Sequence, residues 1–154
     1  MSRSSTFDAI PTFRETQGRP ERDQHMDVIS IGVDIVEIPR IRSMYERFPE
    51  RFVERVYTED EQVRLQKLKE PSHYLAGRWA VKEAVLKVLG TGLTGGIRWR
   101  DINCVRLPSG APAVELSGVA AEKSGSLGIE RVLVTISHGR EVAVAHALAL
   151  GTPP

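Results

Sequence analysis

Gly77-Arg-Trp-Ala-Val-Lys-Glu-Ala-Val-Leu-Lys-Val-Leu-Gly90 is the stretch from which the fold can be read. It predicts a helix that stops at a glycine. At about 100° per residue, Glu83 shares a stripe with Ala76, Ala80 and Lys87, with Trp79 and Leu86 beside it. The helix is apolar on most sides, so it belongs in the middle of the molecule, with a carboxylate in its small, apolar strip. An unpaired buried charge costs several kcal/mol, so such a group is normally paired, neutralised or bound to a metal.

Outward from this helix the chain punctuates itself clearly. Upstream, Asp27 to Ile38 alternates Ile29, Ile31, Val33 and Ile35 against Ser30, Gly32, Asp34 and Val36, which predicts a strand. Asp34 is a second acidic residue where acids are depleted, and Gly32 leaves room for a close neighbour. Pro39 opens a helix whose apolar face is Ile41, Met44, Tyr45 and Phe48. Pro49 breaks it, and a short amphipathic turn follows with Phe52, Val53 and Val56. Thr58 and Glu61 form a capping box for a helix to about Lys69, and Ser72 is expected to cap the central one. Downstream, Gly90 to Gly96 is glycine-rich but is not a Walker loop, since it lacks the Gly-Lys-Ser/Thr ending and follows a helix.

Strands are expected at Asn103 to Leu107 and Ala113 to Leu116, around the Pro108–Pro112 turn. A short helix covers Ser117 to Ser126. A closing hairpin runs Arg131 to Ser137 and Glu141 to Leu150, turning at His138-Gly-Arg140. Its second strand carries Ala143, Ala145, Ala147 and Ala149 on one face, which requires a close neighbour such as a helix. The order is an α+β fold, with helices on one side of a largely antiparallel sheet.

Length and composition bound the function. The 154 residues suit one domain from residue 26 to 154; residues 1–25, sparse in large apolar groups, read as a flexible extension, and Met26 as a possible start. Net charge is +1, from 21 basic and 20 acidic residues, so no globally basic nucleic-acid binder is indicated. A single cysteine, Cys104, fits a reducing cytoplasm and reads as a buried small apolar residue. No apolar run approaches a membrane span, and the N-terminus lacks the order of a secretory signal.

Asp34, Glu83 and His138 could share one site. Two carboxylates without thiolates suggest a hard cation, and Arg78, Lys82 and Lys87 are candidate phosphate ligands beside Glu83. Spacing alone leaves plainer readings open. Asp34 could cap the next helix, Glu83 could pair with Lys87 at i,i+4, Arg78 and Lys82 could be a solvated face, and His138 could be a turn residue. His146 reads as a packed core histidine, and His73 as a surface one.

Ile31-Gly-Val-Asp-Ile-Val-Glu-Ile-Pro-Arg40, Phe52-Val-Glu-Arg55, Leu75-Ala-Gly-Arg-Trp-Ala-Val-Lys-Glu-Ala84 with Lys87, Gly90-Thr-Gly92 and Ile136-Ser-His138 occur in order. From about Asp27 to Leu150 the chain resembles holo-[acyl-carrier-protein] synthases, the small, trimeric type of 4′-phosphopantetheinyl transferase. The resemblance implies that fold, with its sheet packed against a long central helix. It implies Mg²⁺, or Mn²⁺, held by Asp34 and Glu83, and coenzyme A as substrate. Arg78, Lys87 and less directly Lys82 would face its phosphates, with Gly90, Pro112, Ser137 and His138 at the nucleotide end. Arg40, Met44, Arg51, Phe52 and Arg55 would dock the acyl carrier protein, whose acidic helix an arginine row complements. Glu83 and Lys87 would be catalytic, with Glu83, through a metal-bound water, as first candidate for the base. Two rival classes share these residues: a coenzyme- or nucleotide-binding module without catalysis, and a Mg²⁺-dependent nucleotide hydrolase.

Overall fold

A computed structural model describes residues 26–154; the expected N-terminal extension and Met1 to His25 lie outside them. Strand β1 (Asp27–Glu37) leads into α1 (Ile38–Arg47), α2 (Pro49–Val56) and α3 (Glu59–Leu65). The central helix α4 (Ser72–Leu89) follows, then a single 3₁₀ turn (Trp99–Asp101). The chain continues through β2 (Ile102–Arg106), β3 (Pro112–Leu116), α5 (Gly118–Ser126), β4 (Ile129–His138) and β5 (Val142–Gly151). Pro49 does end α1, but it does so by opening another helix: a proline fits the first helical turn, where its missing N–H is not needed.

All pairing is antiparallel, in two sheets. One has the order β1-β5-β4 and the other is the β2–β3 ribbon. Helix α4 lies across the first sheet, and the reason is side-chain size. Ala143, Ala145, Ala147 and Ala149 are all buried, as is Gly32 opposite Ala147 in the register. A Cβ on Gly32 would come within 2.1 Å of the Ala84 carbonyl oxygen, so β1 can approach α4 only because it is a glycine. Ser30 Oγ completes the seam by donating to the Val88 carbonyl at 2.9 Å.

The consequence for β1 runs against its hydrophobicity. Gly32, Asp34 and Val36 face the helix, while Ile31, Val33 and Ile35 are turned outward and exposed. His146 belongs to that outer face too and is exposed, not packed in the core. The expected capping by Ser72 also fails. The residue lies inside α4, whose N-cap is Pro71, and its buried hydroxyl accepts from Arg42 Nε at 3.1 Å instead.

The capping box at Thr58 and Glu61 forms as expected. Glu61 does more than cap. Its carboxylate is fully buried, accepts from the Thr58 and Cys104 backbone N–H groups, and meets Lys82 Nζ at 2.9 Å. Lys82 also donates to the Trp99 and Ile102 carbonyls. All three of its donors are thus used inside the protein, where they tie α3, α4 and β2 together.

Candidate functional site

Two sites lie along α4. At its C-terminal half, Asp34 on β1 and Glu83 on α4 meet where glycine and alanine bring strand and helix together. Asp34 Oδ1 is 2.9 Å from Lys87 Nζ, which also donates to the Val33 carbonyl at 2.7 Å. Lys87 is therefore Asp34's partner and not Glu83's. Glu83 is half-buried and has no hydrogen bond or ion pair among the described residues. Burial pushes its carboxyl above the usual glutamate range, the Asp34 carboxylate adds to this, and Lys87 and Arg40 act the other way.

Two neighbouring carboxylates, one of them unpartnered, fit a hard divalent cation. Magnesium commonly takes one or two carboxylates and fills its remaining positions with water and phosphate oxygens. No cluster of three or more ligating side chains exists among the described residues, so a bound cation would draw the rest of its ligands from elsewhere.

The second site is a cleft of about 580 Å³ beside the N-terminal half of α4. Arg78, Pro112 and His138 line it together, as do Arg64, His73 and Arg106. Arg78 is the telling residue. Its guanidinium lies over the Tyr74 ring, 4.6 Å from the centroid, and its Nε is buried with no acceptor. The rings of His73 and His138 pack edge to face at 5.4 Å, and His73 Nδ1 is 3.3 Å from Glu70. An orphaned donor among arginines and histidines suits a phosphate.

Four expected coenzyme ligands are not in this cleft, among them Lys87, which Asp34 holds at the other site. Lys82 is completely buried and consumed by Glu61 and two carbonyls, so it is a structural residue. Ser137 sits on the outer face of β4, opposite in pleat to Ile136, which does line the cleft. Gly90 ends α4 in the left-handed conformation (φ 71°), at the Lys87 end of the helix. Conversely, Arg64, His73 and Arg106 had no signal in the sequence, because the cleft gathers them from three elements that only the tertiary fold brings together.

A third feature is a groove of about 280 Å³ between α1 and α2, lined by Met44, Phe48, Arg51, Phe52 and Arg55. Phe52 is its floor: it is buried and stacks on Trp79 with ring centroids 5.8 Å apart. Phe48, 54% exposed, is the apolar anchor that periodicity had assigned to the core-facing side of α1. Arg40 stands apart from the groove, over the Trp79 ring at 5.9 Å and close enough to act on Glu83.

The profile described as the 4′-phosphopantetheinyl transferase superfamily matches residues 30–145, which takes in every one of these residues. The chain belongs to that superfamily. Holo-[acyl-carrier-protein] synthase of Natranaerobius thermophilus is 44% identical over 121 residues, covering 79% of this chain and 96% of the relative. The Gloeobacter violaceus protein of the same name is 48% identical over 125 residues, covering 79% and 92%. Among solved structures, Helicobacter pylori holo-[acyl-carrier-protein] synthase in complex with coenzyme A superposes with a TM-score of 0.69 at 33% identity, covering 78% of this chain and 99% of that one. The phosphopantetheinyl transferase fold and family expected from the motifs are therefore present.

Proposed function

We propose that the protein is a holo-[acyl-carrier-protein] synthase, moving 4′-phosphopantetheine from coenzyme A to a serine of apo acyl carrier protein. The observation that carries this is the pairing on one helix of an unpartnered Glu83 beside Asp34 with a phosphate-ready Arg78. The two positions are five residues apart on α4, about 7.5 Å of helix rise. They stand over β1 and β4, the outer strands of a three-stranded sheet and so roughly 10 Å apart. Coenzyme A carries a phosphate monoester and a pyrophosphate separated by a ribose, a spacing that such a pair accommodates.

In this reading the serine oxygen forms a bond to the β-phosphorus of coenzyme A. The bond from that phosphorus to the bridging oxygen breaks, and adenosine 3′,5′-bisphosphate leaves. Asp34 and Glu83 would hold Mg²⁺ or Mn²⁺, which when bound neutralises pyrophosphate charge. Lys87, released from Asp34, faces the phosphates, and Arg78 anchors the nucleotide end with His138. Glu83 is the candidate acceptor of the serine proton. The arginines of the α1–α2 groove, with Met44 and Phe48, dock the carrier, and Arg40 lies between that groove and Glu83. The protein works as a homotrimer in the cytoplasm; among the described residues no helix is long and apolar enough to cross a membrane.

The test is to incubate the protein with coenzyme A, Mg²⁺ and apo carrier protein and to weigh the carrier. A gain of one phosphopantetheine supports the transferase. Cleavage of coenzyme A without transfer supports a hydrolase, and tight binding without either product supports a binding module. Glu83→Gln should lower turnover by at least about a hundredfold with an unchanged circular dichroism spectrum; full activity would sink the metal assignment. Arg51→Glu should raise KM for the carrier several-fold at low salt and less at high salt. An unchanged KM would remove the groove from docking.

A further inference from the structure

Arginines in this chain are held in two different ways. Arg42 meets Glu70 at 3.6 Å, Arg98 meets Asp101 at 2.9 Å and Arg100 meets Glu59 at 3.5 Å. Arg78 has no carboxylate partner among the described residues. Its guanidinium rests on the Tyr74 ring, 4.6 Å from the centroid. The two kinds of support leave an arginine in different states. A carboxylate takes up the charge and the in-plane donors of the arginine it holds, and an incoming phosphate has to displace it. A ring takes up only the face. The charge and the edge of N–H groups stay available, while the side chain has already lost part of its freedom to wander.

The ring is itself fixed. Tyr74 and Arg78 are four residues apart on α4, so they share one side of the helix. The Tyr74 hydroxyl donates to the Glu61 carbonyl at 3.1 Å. Glu61 cannot yield easily, because its buried carboxylate accepts from the Thr58 and Cys104 N–H groups and meets Lys82 Nζ at 2.9 Å. A line of contacts therefore runs from the buried ion pair to the phenol, through the ring, to the guanidinium. Tyr74 and Arg78 both line the cleft where this line ends. Tyrosine is suited to the position, since one end of it can be tied to α3 while its face carries a cation.

We propose that Tyr74 is a positioning residue for coenzyme binding, whose ring holds Arg78 at the cleft with its charge unspent. Tyr74 acts through Arg78, and the Glu61–Lys82 pair supports it at one remove. The inference rests on the reading of this cleft as the nucleotide end of the coenzyme site, and it needs none of the transfer chemistry.

Calorimetric titration of the full chain with coenzyme A tests it in a double-mutant cycle of Tyr74→Leu and Arg78→Met, with Tyr74→Phe beside them. Tyr74→Leu should raise Kd by roughly 3- to 30-fold, the range a cation over a ring supports. Tyr74→Phe keeps the ring and should keep most of the affinity. In the Arg78→Met background, Tyr74→Leu should add less than about twofold, because there is no guanidinium left to hold. Equal losses in both backgrounds overturn the proposal, since a tyrosine that shaped the cleft or touched the coenzyme itself would matter with or without Arg78. Full affinity in Tyr74→Leu overturns it, and so does a loss in Tyr74→Phe as large as that in Tyr74→Leu. If Tyr74→Leu does not fold, Tyr74→Met, which keeps the volume without a ring, takes its place in the cycle. The carrier-mass assay reports separately on the transferase. Coenzyme bound but never transferred removes that function and leaves the role of Tyr74 standing, while transfer with additive losses does the reverse.

Discussion

Arg78 has its charge stacked on Tyr74 and a buried Nε with nothing to donate to. In water-excluded surroundings an unused donor costs about 1–3 kcal/mol, and a phosphate would recover that cost. Arg78→Met should therefore raise KM for coenzyme A by roughly 10- to 100-fold while kcat changes little, because the contact exists before and during the reaction. Arg78→Lys should not restore affinity, since an ammonium has neither the planar fork nor the ring stacking. Steady-state kinetics over a range of coenzyme concentrations checks both; a loss confined to kcat would move Arg78 from anchoring to chemistry. Asp34 and Glu83 were legible as neighbours worth pairing because each breaks the rule of its own element, an acid in a strand and an acid on an apolar helix. His73 breaks no local rule, so only its ring contact with His138, 65 residues away, reveals it.

At the scale of elements, α4 is held in rotation by the Glu61–Lys82 pair as well as by apolar packing. Both groups are fully buried. Lys82→Met strands a carboxylate in the core and should cost about 3–5 kcal/mol, read as a lower urea midpoint. Adding Glu61→Gln removes the stranded charge and should recover part of it. If the double variant is no more stable than the single, the pair is not what holds these helices. The sequence showed Glu61 as a capping residue, and it is one, but a capping box uses one carboxylate oxygen for a neighbour three residues away. The second partner, 21 residues off, follows from no periodicity. Alternation had the same limit in β1 and β5. It separates two faces without saying which is inward, and here the alanine and glycine face is inward because a helix must fit against it.

The whole molecule contains two tyrosines whose ionisation opposes folding. Tyr57 donates to the Leu75 carbonyl at 3.0 Å, and Tyr74 to the Glu61 carbonyl at 3.1 Å. Burial, ahead of the nearby Glu61 charge and the contact with Tyr74, holds the Tyr57 phenol well above its ordinary range. Burial also pushes Tyr74 up to about 12, with Arg78 opposing it. Unfolded tyrosine ionises near 10, so above that value the folded chain binds more protons than the unfolded one. The stability from this source is complete below about pH 10 and is lost as pH climbs through about 12. Urea midpoints should fall steeply over that window for the wild type and less steeply for Tyr57→Phe. Parallel slopes would assign the alkaline loss to other groups. The architecture as a whole was readable, since five antiparallel strands and a buried central helix follow from periodicity, glycine and proline. The division of the strands into two sheets was not, because it depends on the gap between β3 and β4 and not on anything within either strand.

The seam between α4 and the sheet is made of glycine and alanine, the smallest residues available. At Gly32 nothing shorter exists with which to draw the two surfaces closer. Sequence drift at Gly32 can therefore act in one direction only, lifting the helix off the strand and carrying Glu83 away from Asp34. A lineage that enlarged this position would part the two carboxylates, and no second change at the same position could bring them closer than their present spacing.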